Sequence, residues 1–434
     1  MRPRVLALVD GEHYPPVVRA AFEQAAAEGG EVVAALLLGG TEKLAGDPDY
    51  GVPLETLSGD AASSMLEAAA RHGADRVLDL SDEPVLSERL RLWLAANALA
   101  AGLAYEGADF ELRPPVAEPL EHPALAIVGT GKRVGKTAVS AHAARLLQAA
   151  GRDVVVVAMG RGGPAEPELV VPSDGQLGVQ QLLKRSRAGM HAASDFLEDA
   201  VLAGVATVGA RRCGGGLSGG TYLSNVAEAA RLAGSLDPDL ILLEGSGAAV
   251  PPLRADRTVL VTSAHRPAAA LTAGLGPVGV LRSDLVVITM AEHGCVDTRE
   301  AIEAVAPGRA TVAVTLRPSP AEPLGDGSVA FFTTAPPERA SGLAERLEAD
   351  VVAVVPALSD RQALREALAR DDVAAAGTFL VEVKAAAIEV VCEYAAEHGI
   401  RVVFCDNVPE PTDGEPDLDA ALLELASEAV ALRA

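Results

Sequence analysis

One stretch of the sequence decides the fold: Ala124-Leu-Ala-Ile-Val-Gly-Thr-Gly-Lys-Arg-Val-Gly-Lys-Thr137. It joins a short apolar run to a glycine-rich turn and then to a helical pattern, in the order that a phosphate-binding loop requires. The glycines let the backbone turn its N–H groups inward, and the start of the helix adds partial positive charge. We therefore predict a strand over 124–128, a nucleotide-binding loop over 129–137 and a helix over 136–150.

The residues of this loop have distinct expected roles. Lys136 is expected to bridge the β- and γ-phosphates of ATP, and the Thr137 hydroxyl is expected to bind Mg²⁺. Lys132 is the second candidate catalytic lysine, in a chain that contains only five lysines. The whole predicted nucleotide-binding set is Gly129, Thr130, Gly131, Lys132, Arg133, Val134, Gly135, Lys136 and Thr137.

The loop departs from two common patterns. It is one residue longer than GxxxxGK[ST], because position 130 is threonine and the upstream glycine is Gly129. It also lacks the third glycine of the dinucleotide-binding pattern GxGxxG, since Val134 occupies that position. ATP and Mg²⁺ are therefore the predicted cofactors, rather than a dinucleotide.

Composition excludes several other classes. The net charge of -24 disfavours nucleic acid or an anionic membrane as a partner, because both require basic patches. The apolar runs are much shorter than the roughly 18 residues of a membrane span. The four cysteines lie far apart without ligand spacing, which argues against both a disulfide framework and a zinc site. We expect a cytoplasmic protein with neither nucleic-acid nor membrane partners.

The chain length and the alternation of apolar runs with helical patterns predict at least two α/β units. A proline-rich linker at 113–123 separates an N-terminal α/β (Rossmann-like) domain, 1–117, from a P-loop domain, 118–434. The fold class is α/β, a P-loop NTPase-like doubly wound parallel sheet with the additional N-terminal domain. The C-terminal third, from about residue 310, either extends the second sheet or forms a subdomain; the pattern leaves both open.

Four further groups of residues are candidates for binding. Glu244 ends an apolar run before Gly245-Ser-Gly247, where a carboxylate can reach Mg²⁺ or simply cap the next turn. Arg161 lies in another glycine-rich turn and is a candidate phosphate clamp or an exposed surface arginine. Arg211 and Arg212 form a candidate phosphate site with Gly214, Gly215 and Gly216, or else an ordinary surface loop. Asp10, Glu12 and His13 lie at the expected rim of the first sheet, where they are candidates for ligand binding or ordinary turn residues. Nucleobase contacts are expected from Glu292, or from Arg317 and Pro318.

Two motifs carry a family resemblance. The loop 129–137 resembles the elongated loop of dethiobiotin synthetase and its relatives, and Glu244-Gly-Ser-Gly247 resembles the acidic turn of that family. Four more segments make essentially the whole chain similar to the cyclic 2,3-diphosphoglycerate synthetase family: Asp10-Gly-Glu-His-Tyr-Pro15, Gly39-Gly-Thr-Glu-Lys-Leu44, Gly160-Arg-Gly-Gly-Pro164 and Arg211-Arg-Cys-Gly-Gly-Gly216. The resemblance implies an ATP-dependent ligase that closes 2,3-diphosphoglycerate into its cyclic pyrophosphate and releases ADP and phosphate.

Two alternatives remain at this point. One is a dethiobiotin-synthetase-like ligase that acts on another small anionic substrate, and the other is a regulatory P-loop ATPase. The second is disfavoured, because partitioning ATPases carry a signature lysine five residues before the loop lysine, where this chain has Gly131. A homodimer is expected, although the residues themselves do not determine the oligomeric state.

Overall fold

The computed structural model describes residues 2–44, 46, 48–172, 177–190, 192, 194–384 and 386–433. These residues form two sheets covered by helices. The smaller sheet has the order β3-β2-β1-β4-β5-β6, and its strands are parallel except for the β5–β6 hairpin. Its elements are β1 Arg4–Val9, α1 Pro15–Ala27, β2 Glu31–Leu37, a 3-10 turn Thr41–Lys43, β3 Leu54–Thr56, α2 Ala61–His72, β4 Arg76–Asp79, α3 Glu88–Ala100, β5 Ala104–Gly107 and β6 Phe110–Leu112.

The larger sheet begins with the strand before the phosphate loop. Its neighbouring strands β10, β8, β12, β7, β13 and β14 are parallel, so their carboxyl ends share one edge of the sheet. The elements of this part are β7 Ala124–Gly129, α4 Lys136–Ala149, β8 Val154–Gly160, β9 Glu168–Val170, α5 Val179–Arg187, α6 Asp195–Ala203, β10 Ala206–Cys213, β11 Leu223–Ser224, α7 Val226–Gly234, β12 Leu240–Glu244, β13 Arg257–Ser263, α8 Ala269–Thr272, α9 Pro277–Leu281, β14 Leu285–Thr289 and α10 Val296–Val305.

The C-terminal third extends this same sheet. Strand β15, Ala310–Pro320, pairs in parallel with β14 through its first half and antiparallel with β19 through its second half. The sheet then continues in the order β19-β18-β16-β17. The remaining elements are β16 Ser328–Phe332, α11 Pro337–Ala344, β17 Asp350–Val355, α12 Arg361–Leu368, α13 Asp371–Ala374, β18 Thr378–Glu382, a π-helical turn Ala387–Cys392, α14 Glu393–His398, β19 Arg401–Pro411 and α15 Leu418–Ala431.

Apolar packing joins these parts. Strand β7 is buried along its whole length, because helices cover both faces of the sheet. Helix α15 buries Leu418, Leu422, Ala426 and Ala429 in the core that also contains Leu125 and Ile127 of β7. Helix α3 of the N-terminal unit packs through Ala96 and Leu99 on Val278 of α9. Among the described helices, none is long and apolar enough to cross a membrane.

Sequence patterns predicted β7 and α4 within one residue but did not reveal several short strands. Strands β3, β5 and β6 have three or four residues each, too short for a visible pattern. Strand β10 was also missed, although it contains Arg211 and Arg212. This matters for the predicted phosphate site, because consecutive residues in a strand point to opposite faces and the two arginines therefore cannot both face one ligand.

Candidate functional site

The predicted loop connects the carboxyl end of β7 to the start of α4. Gly135 has a φ of 78° and Arg133 a φ of 58°, so the chain turns through two left-handed residues within the loop. A side chain at Gly135 would be strained in this conformation. Among the described residues, no protein acceptor binds the backbone N–H groups of residues 131–135. The loop therefore presents a row of free donors, as a phosphate cradle requires.

The first two residues of the predicted set have a different position. The Thr130 backbone N–H donates to the Val261 carbonyl oxygen at 3.0 Å, and its hydroxyl bonds to the Thr262 hydroxyl at 3.0 Å. Gly129 and Thr130 thus fix the loop to β13, whereas residues 131–137 line a cavity. The extra residue of the elongated loop serves this attachment.

Glu244, at the end of β12, meets the start of α4. Its Oε1 accepts hydrogen bonds from the Lys136 Nζ and, at 3.0 Å, from the Thr137 hydroxyl. Burial opposes ionisation of this carboxyl group, but the adjacent Lys136 ammonium outweighs it and lowers the pKa of Glu244. The Glu244 carboxylate also accepts a hydrogen bond from the buried carboxyl group of Asp199, whose pKa is raised. A hydroxyl and a buried carboxylate together suit an oxygen-seeking cation such as Mg²⁺.

The cavity has a volume of about 860 Å³ and is enclosed by three parts of the chain. The first wall is the loop, residues 131–138. The second is formed by residues 160–163, the start of α6 and the Ser246-Gly247 turn. The third comes from the C-terminal third, and it includes Thr334, Arg339, Glu382, Lys384 and Asn407.

Arg161 lines this cavity, and Arg212 supports it from behind. A Cβ atom at Gly247, whose φ is 61°, would lie 3.0 Å from the Arg161 Nη2 and 3.6 Å from the Arg212 Nη2. The Arg212 guanidinium donates to the Ser246 and Gly214 carbonyl oxygens at 2.7 Å each, and the residue is 8% exposed. Burial, together with the nearby Arg161, lowers the pKa of Arg212. Arg161 has no hydrogen bond or ion pair with any described residue, so its guanidinium is available to a ligand in the cavity.

Arg211 and the glycine run lie elsewhere. Arg211 is exposed, because it points away from the face that buries Arg212. Gly214, Gly215 and Gly216 line a second cavity of about 830 Å³, bounded by the linker at 113–118 and by Tyr222. Arg211 lines neither cavity. The structure therefore separates residues that were predicted to act as one phosphate clamp.

Asp10, Glu12 and His13 occupy the predicted rim at the end of β1 but do not line either cavity. The Asp10 Oδ1 accepts the backbone N–H groups of Glu12 and His13 at 3.0 Å and contacts the His13 Nδ1 at 2.8 Å. Its Oδ2 accepts the Asp82 N–H at 2.8 Å. The Asp10 carboxylate thereby holds two rim loops together, which is a sufficient reason for a buried acid at this position.

The residues expected near the nucleobase are engaged in ion pairs. Arg317 pairs with Glu410 at 2.6 Å, and Glu292 lies 3.7 Å from Arg339. Met290, at the end of β14, lines the cavity with a φ of 57°, unusual for a residue other than glycine. Leu316, Pro336 and Leu343 also contribute apolar surface to the wall.

Several functional candidates were not found from the sequence. Helix α6 brings three acids close to the loop: Asp195 lines the cavity, and Glu198 and Asp199 are buried. Burial raises the pKa of all three, and Glu244 adds to the effect on Asp199. Lys384, after β18, lines the same cavity. The rarity of lysine was the available signal for Lys384; no motif marks the three acids.

Within the described ranges, no group of three or more His, Cys, Asp or Glu side chains could hold a metal ion. The four cysteines are unpaired, as their spacing predicted. A cation at Thr137 and Glu244 would therefore take most of its ligands from phosphate and water, the usual arrangement for Mg²⁺.

Comparison with known proteins places these features in a family. Three family models match the chain: the cyclic 2,3-diphosphoglycerate synthetase N-terminal domain at residues 4–113, its P-loop domain at 124–315 and its C-terminal domain at 320–408. Cyclic 2,3-diphosphoglycerate synthetase of Rubrobacter xylanophilus is 46% identical over 98% of each chain. The enzyme of the same name from Methanothermobacter thermautotrophicus is 39% identical over 98% of this chain and 97% of its own.

Among solved structures, the "apo" form of LpxK from Aquifex aeolicus in complex with ATP aligns with 73% of this chain and 90% of its own. It is 14% identical to this chain, with a TM-score of 0.43. The three domain models and the full-length relatives are decisive. The chain belongs to the cyclic 2,3-diphosphoglycerate synthetase family.

Proposed function

We propose that this protein is an ATP-dependent synthetase that closes 2,3-diphosphoglycerate to cyclic 2,3-diphosphoglycerate and releases ADP and phosphate. The observation that carries the proposal is one cavity that joins an open phosphate loop to an unpaired Arg161. A chain of net charge -24 does not attract a polyanion through its overall field. Such a substrate requires local cations, and this cavity supplies them.

The proposed reaction has two steps. An oxygen of one substrate phosphate attacks the γ-phosphorus of ATP, and the bond to the ADP oxygen breaks. An oxygen of the other substrate phosphate then attacks the phosphorus of the substrate phosphate that received the γ-phosphoryl group. The anhydride bond between that phosphorus and the transferred group breaks, so the ring closes and the transferred group leaves as inorganic phosphate. Attacker and electrophile are both negatively charged in each step, so positioning and charge neutralisation dominate the catalysis.

The chain's own residues divide this work. The backbone N–H groups of residues 131–135 and the Lys136 Nζ hold the β- and γ-phosphates, and Lys136 exchanges its contact with Glu244 for a phosphate oxygen. Lys132, whose Cγ lies 4.0 Å from the Cβ position at Gly247, reaches from the loop toward the acceptor side. Arg161 binds the acceptor, and Arg212 holds the turn beneath it. The apolar wall at Met290 and Leu316 receives the nucleobase.

Mg²⁺ fits the proposal through Thr137 and Glu244. When bound, it supplies charge neutralisation for the transferring phosphoryl group. The buried Glu244 carboxylate, with the Thr137 hydroxyl 3.0 Å from its Oε1, supports this assignment. Asp10, Glu12 and His13, together with Arg211 and Gly214–Gly216, stay predicted contributors to substrate binding, for which the cavity gives no support.

The proposal also includes a cytoplasmic location, where ATP is supplied, and a homodimeric assembly. Leu217 and Tyr222, 81% and 92% exposed beside the second cavity, offer apolar surface for a contact between subunits. Light scattering of the purified protein measures the oligomeric state directly.

The central experiment is product analysis. The protein is incubated with 2,3-diphosphoglycerate, ATP and Mg²⁺, and phosphorus NMR follows the appearance of the cyclic pyrophosphate, ADP and inorganic phosphate. Lys136→Ala is the inactive control, and Lys184→Ala, on the exposed face of α5, is the matched control that retains activity. Hydrolysis of ATP without a cyclic product would refute the proposed function.

A further inference from the structure

Lysine is unevenly distributed in this chain. Only five lysines occur among 36 Lys and Arg residues, so arginine carries nearly all of the positive charge. Three of the five, Lys132, Lys136 and Lys384, line the same cavity. The first two belong to the phosphate loop. Lys384 comes from the C-terminal third, and the reaction described above gives it no role.

The position of Lys384 is fixed by its neighbours. It follows Glu382, whose Oε1 accepts from the Thr333 hydroxyl at 3.0 Å and the Asn407 Nδ2 at 3.1 Å. The Glu382 Oε2 accepts from the Thr334 backbone N–H at 2.8 Å. These bonds tie the ends of β16 and β18 to β19, so Lys384 projects from a rigid rim.

In the part of the chain that the structure describes, the Lys384 ammonium has one ion-pair partner, Glu198 of α6. Its Nζ lies 3.2 Å from the Glu198 Oε1, and the lysine side chain is 35% exposed to the cavity. Lys136 has the same arrangement, because it too rests on a buried glutamate of the P-loop core. In that pair, a phosphate must displace the carboxylate when the nucleotide binds.

Glu198 holds Lys384 by an ion pair, and two further acids of the cavity wall, Glu382 and Asp195, act on the same lysine. Burial raises the pKa of both Glu198 and Asp195, so their carboxylates are costly to keep ionised in this position. The Glu382 carboxylate is already occupied by hydrogen bonds from Thr333, Thr334 and Asn407. A phosphate oxyanion, which is ionised at neutral pH, can therefore compete with Glu198 for the Lys384 ammonium.

We propose that Lys384 binds an oxyanion of the phosphorylated acceptor, so that the C-terminal third completes the acceptor half of the site. The proposal rests on the proposed function for the identity of the acceptor. ATP has its own donors in the loop, whereas Lys384 is held at α6 by Glu198, near Asp195. A lysine suits this position, because a compact charge on a flexible stem can leave one partner for another.

The test measures binding of 2,3-diphosphoglycerate and of ATP separately, by calorimetry on the full chain carrying Lys384→Met. Loss of a hydrogen bond between charged groups should weaken 2,3-diphosphoglycerate binding by about 10- to 100-fold, with ATP binding changed by less than about 2-fold. Lys184→Met, on exposed α5, should change neither. Unchanged acceptor binding, or equal losses for both ligands, would overturn the proposal.

Titration of 2-phosphoglycerate and 3-phosphoglycerate distinguishes the bound oxyanion. If Lys384 binds the 3-phosphate, Lys384→Met weakens 3-phosphoglycerate binding but not that of 2-phosphoglycerate, and the reverse holds for the 2-phosphate. If the variant weakens the binding of both ligands, Lys384 binds the carboxylate that the two ligands share. If the variant weakens neither of these ligands nor 2,3-diphosphoglycerate, Lys384 is not a ligand-binding residue.

Glu198→Gln separates binding from a purely structural role. This variant keeps Lys384 but removes the competing carboxylate, so acceptor binding should be retained or tighter. If it instead weakens acceptor binding and lowers the melting temperature as much as Lys384→Met does, the pair only holds two segments together and the proposal fails. Failure of the proposed function is distinct from this result, because wild-type protein would then bind the acceptor without forming the cyclic product.

Discussion

Replacement of Arg161 by alanine tests whether the cavity beside the phosphate loop accepts a polyanion. Arg161 follows β8 and faces the cavity without a carboxylate partner among the described residues. Its Nη2 is 3.0 Å from the Cβ position at Gly247, at the turn that Arg212 holds from behind. Arg161→Ala therefore removes a ligand-facing charge while leaving the hydrogen bonds of that turn in place.

The expected magnitude follows from the exposure of Arg161. Hydrogen bonds to charged groups contribute roughly 1.5–3 kcal/mol. Arg161 is exposed, so water and salt screen its charge, and the lower half of this range applies. A loss of about 1.5–2 kcal/mol corresponds to roughly 10- to 30-fold weaker binding of 2,3-diphosphoglycerate. ATP affinity should change by less than about 2-fold, because the loop holds its phosphates.

Arg231→Ala is the matched control. Arg231 is exposed on α7 and lines neither cavity. Calorimetry on both variants, at about 0.15 M ionic strength, compares the same substitution inside and outside the cavity. If Arg231→Ala weakens acceptor binding as much as Arg161→Ala, or if Arg161→Ala weakens ATP equally, the assignment of this face to the acceptor is wrong.

Three further outcomes are expected. Lys136→Ala should lower turnover by about 10² or more, since it removes charge stabilisation of the transferred phosphoryl group; near-normal turnover in steady-state assays would contradict the loop assignment. Glu244→Gln should raise the Mg²⁺ concentration for half-maximal activity without unfolding the protein, and an unchanged Mg²⁺ titration would leave Glu244 as a turn cap. Burial raises the pKa of Glu198 to about 8, so the folded protein binds a proton at this carboxyl group more tightly than the unfolded chain does. The resulting contribution to the free energy of unfolding is complete below the ordinary pKa of 4.5 and is lost as the pH rises through 8. Wild type should therefore lose unfolding free energy relative to Glu198→Gln between about pH 5 and 9 in urea titrations, and a difference that does not vary with pH would contradict this.

Local patterns were enough to predict the loop and its partner. An apolar run, a glycine turn and a helix are adjacent in the chain, so no long-range information is needed for residues 124–137. Glu244 meets Lys136 across 108 residues because β12 and β7 are parallel neighbours that end at the same edge. Because ligand sites form where the carboxyl ends of parallel strands meet, this contact can be expected from the sequence.

The rest of the site depends on pairings that no local pattern encodes. Lys384 reaches the cavity because β15 turns from a parallel pairing with β14 to an antiparallel pairing with β19. The sequence pattern does not reveal β10, so it cannot show that Arg211 and Arg212 point to opposite faces of a strand. Asp10 lies at the predicted rim, but its hydrogen bonds to the N–H groups of neighbouring loops become visible only in three dimensions.

Helix α15 has a consequence for how the nucleotide site is assembled during synthesis. Its apolar face completes the core beneath β7, and the Asp419 Oδ1 contacts the His142 Nε2 of α4 at 2.6 Å across 277 residues. A nascent chain that has only just exposed the phosphate loop therefore lacks one layer of the core that supports it. We expect nucleotide binding to appear late in translation, and chaperones to meet an emerging loop whose β7 strand is still uncovered on one side.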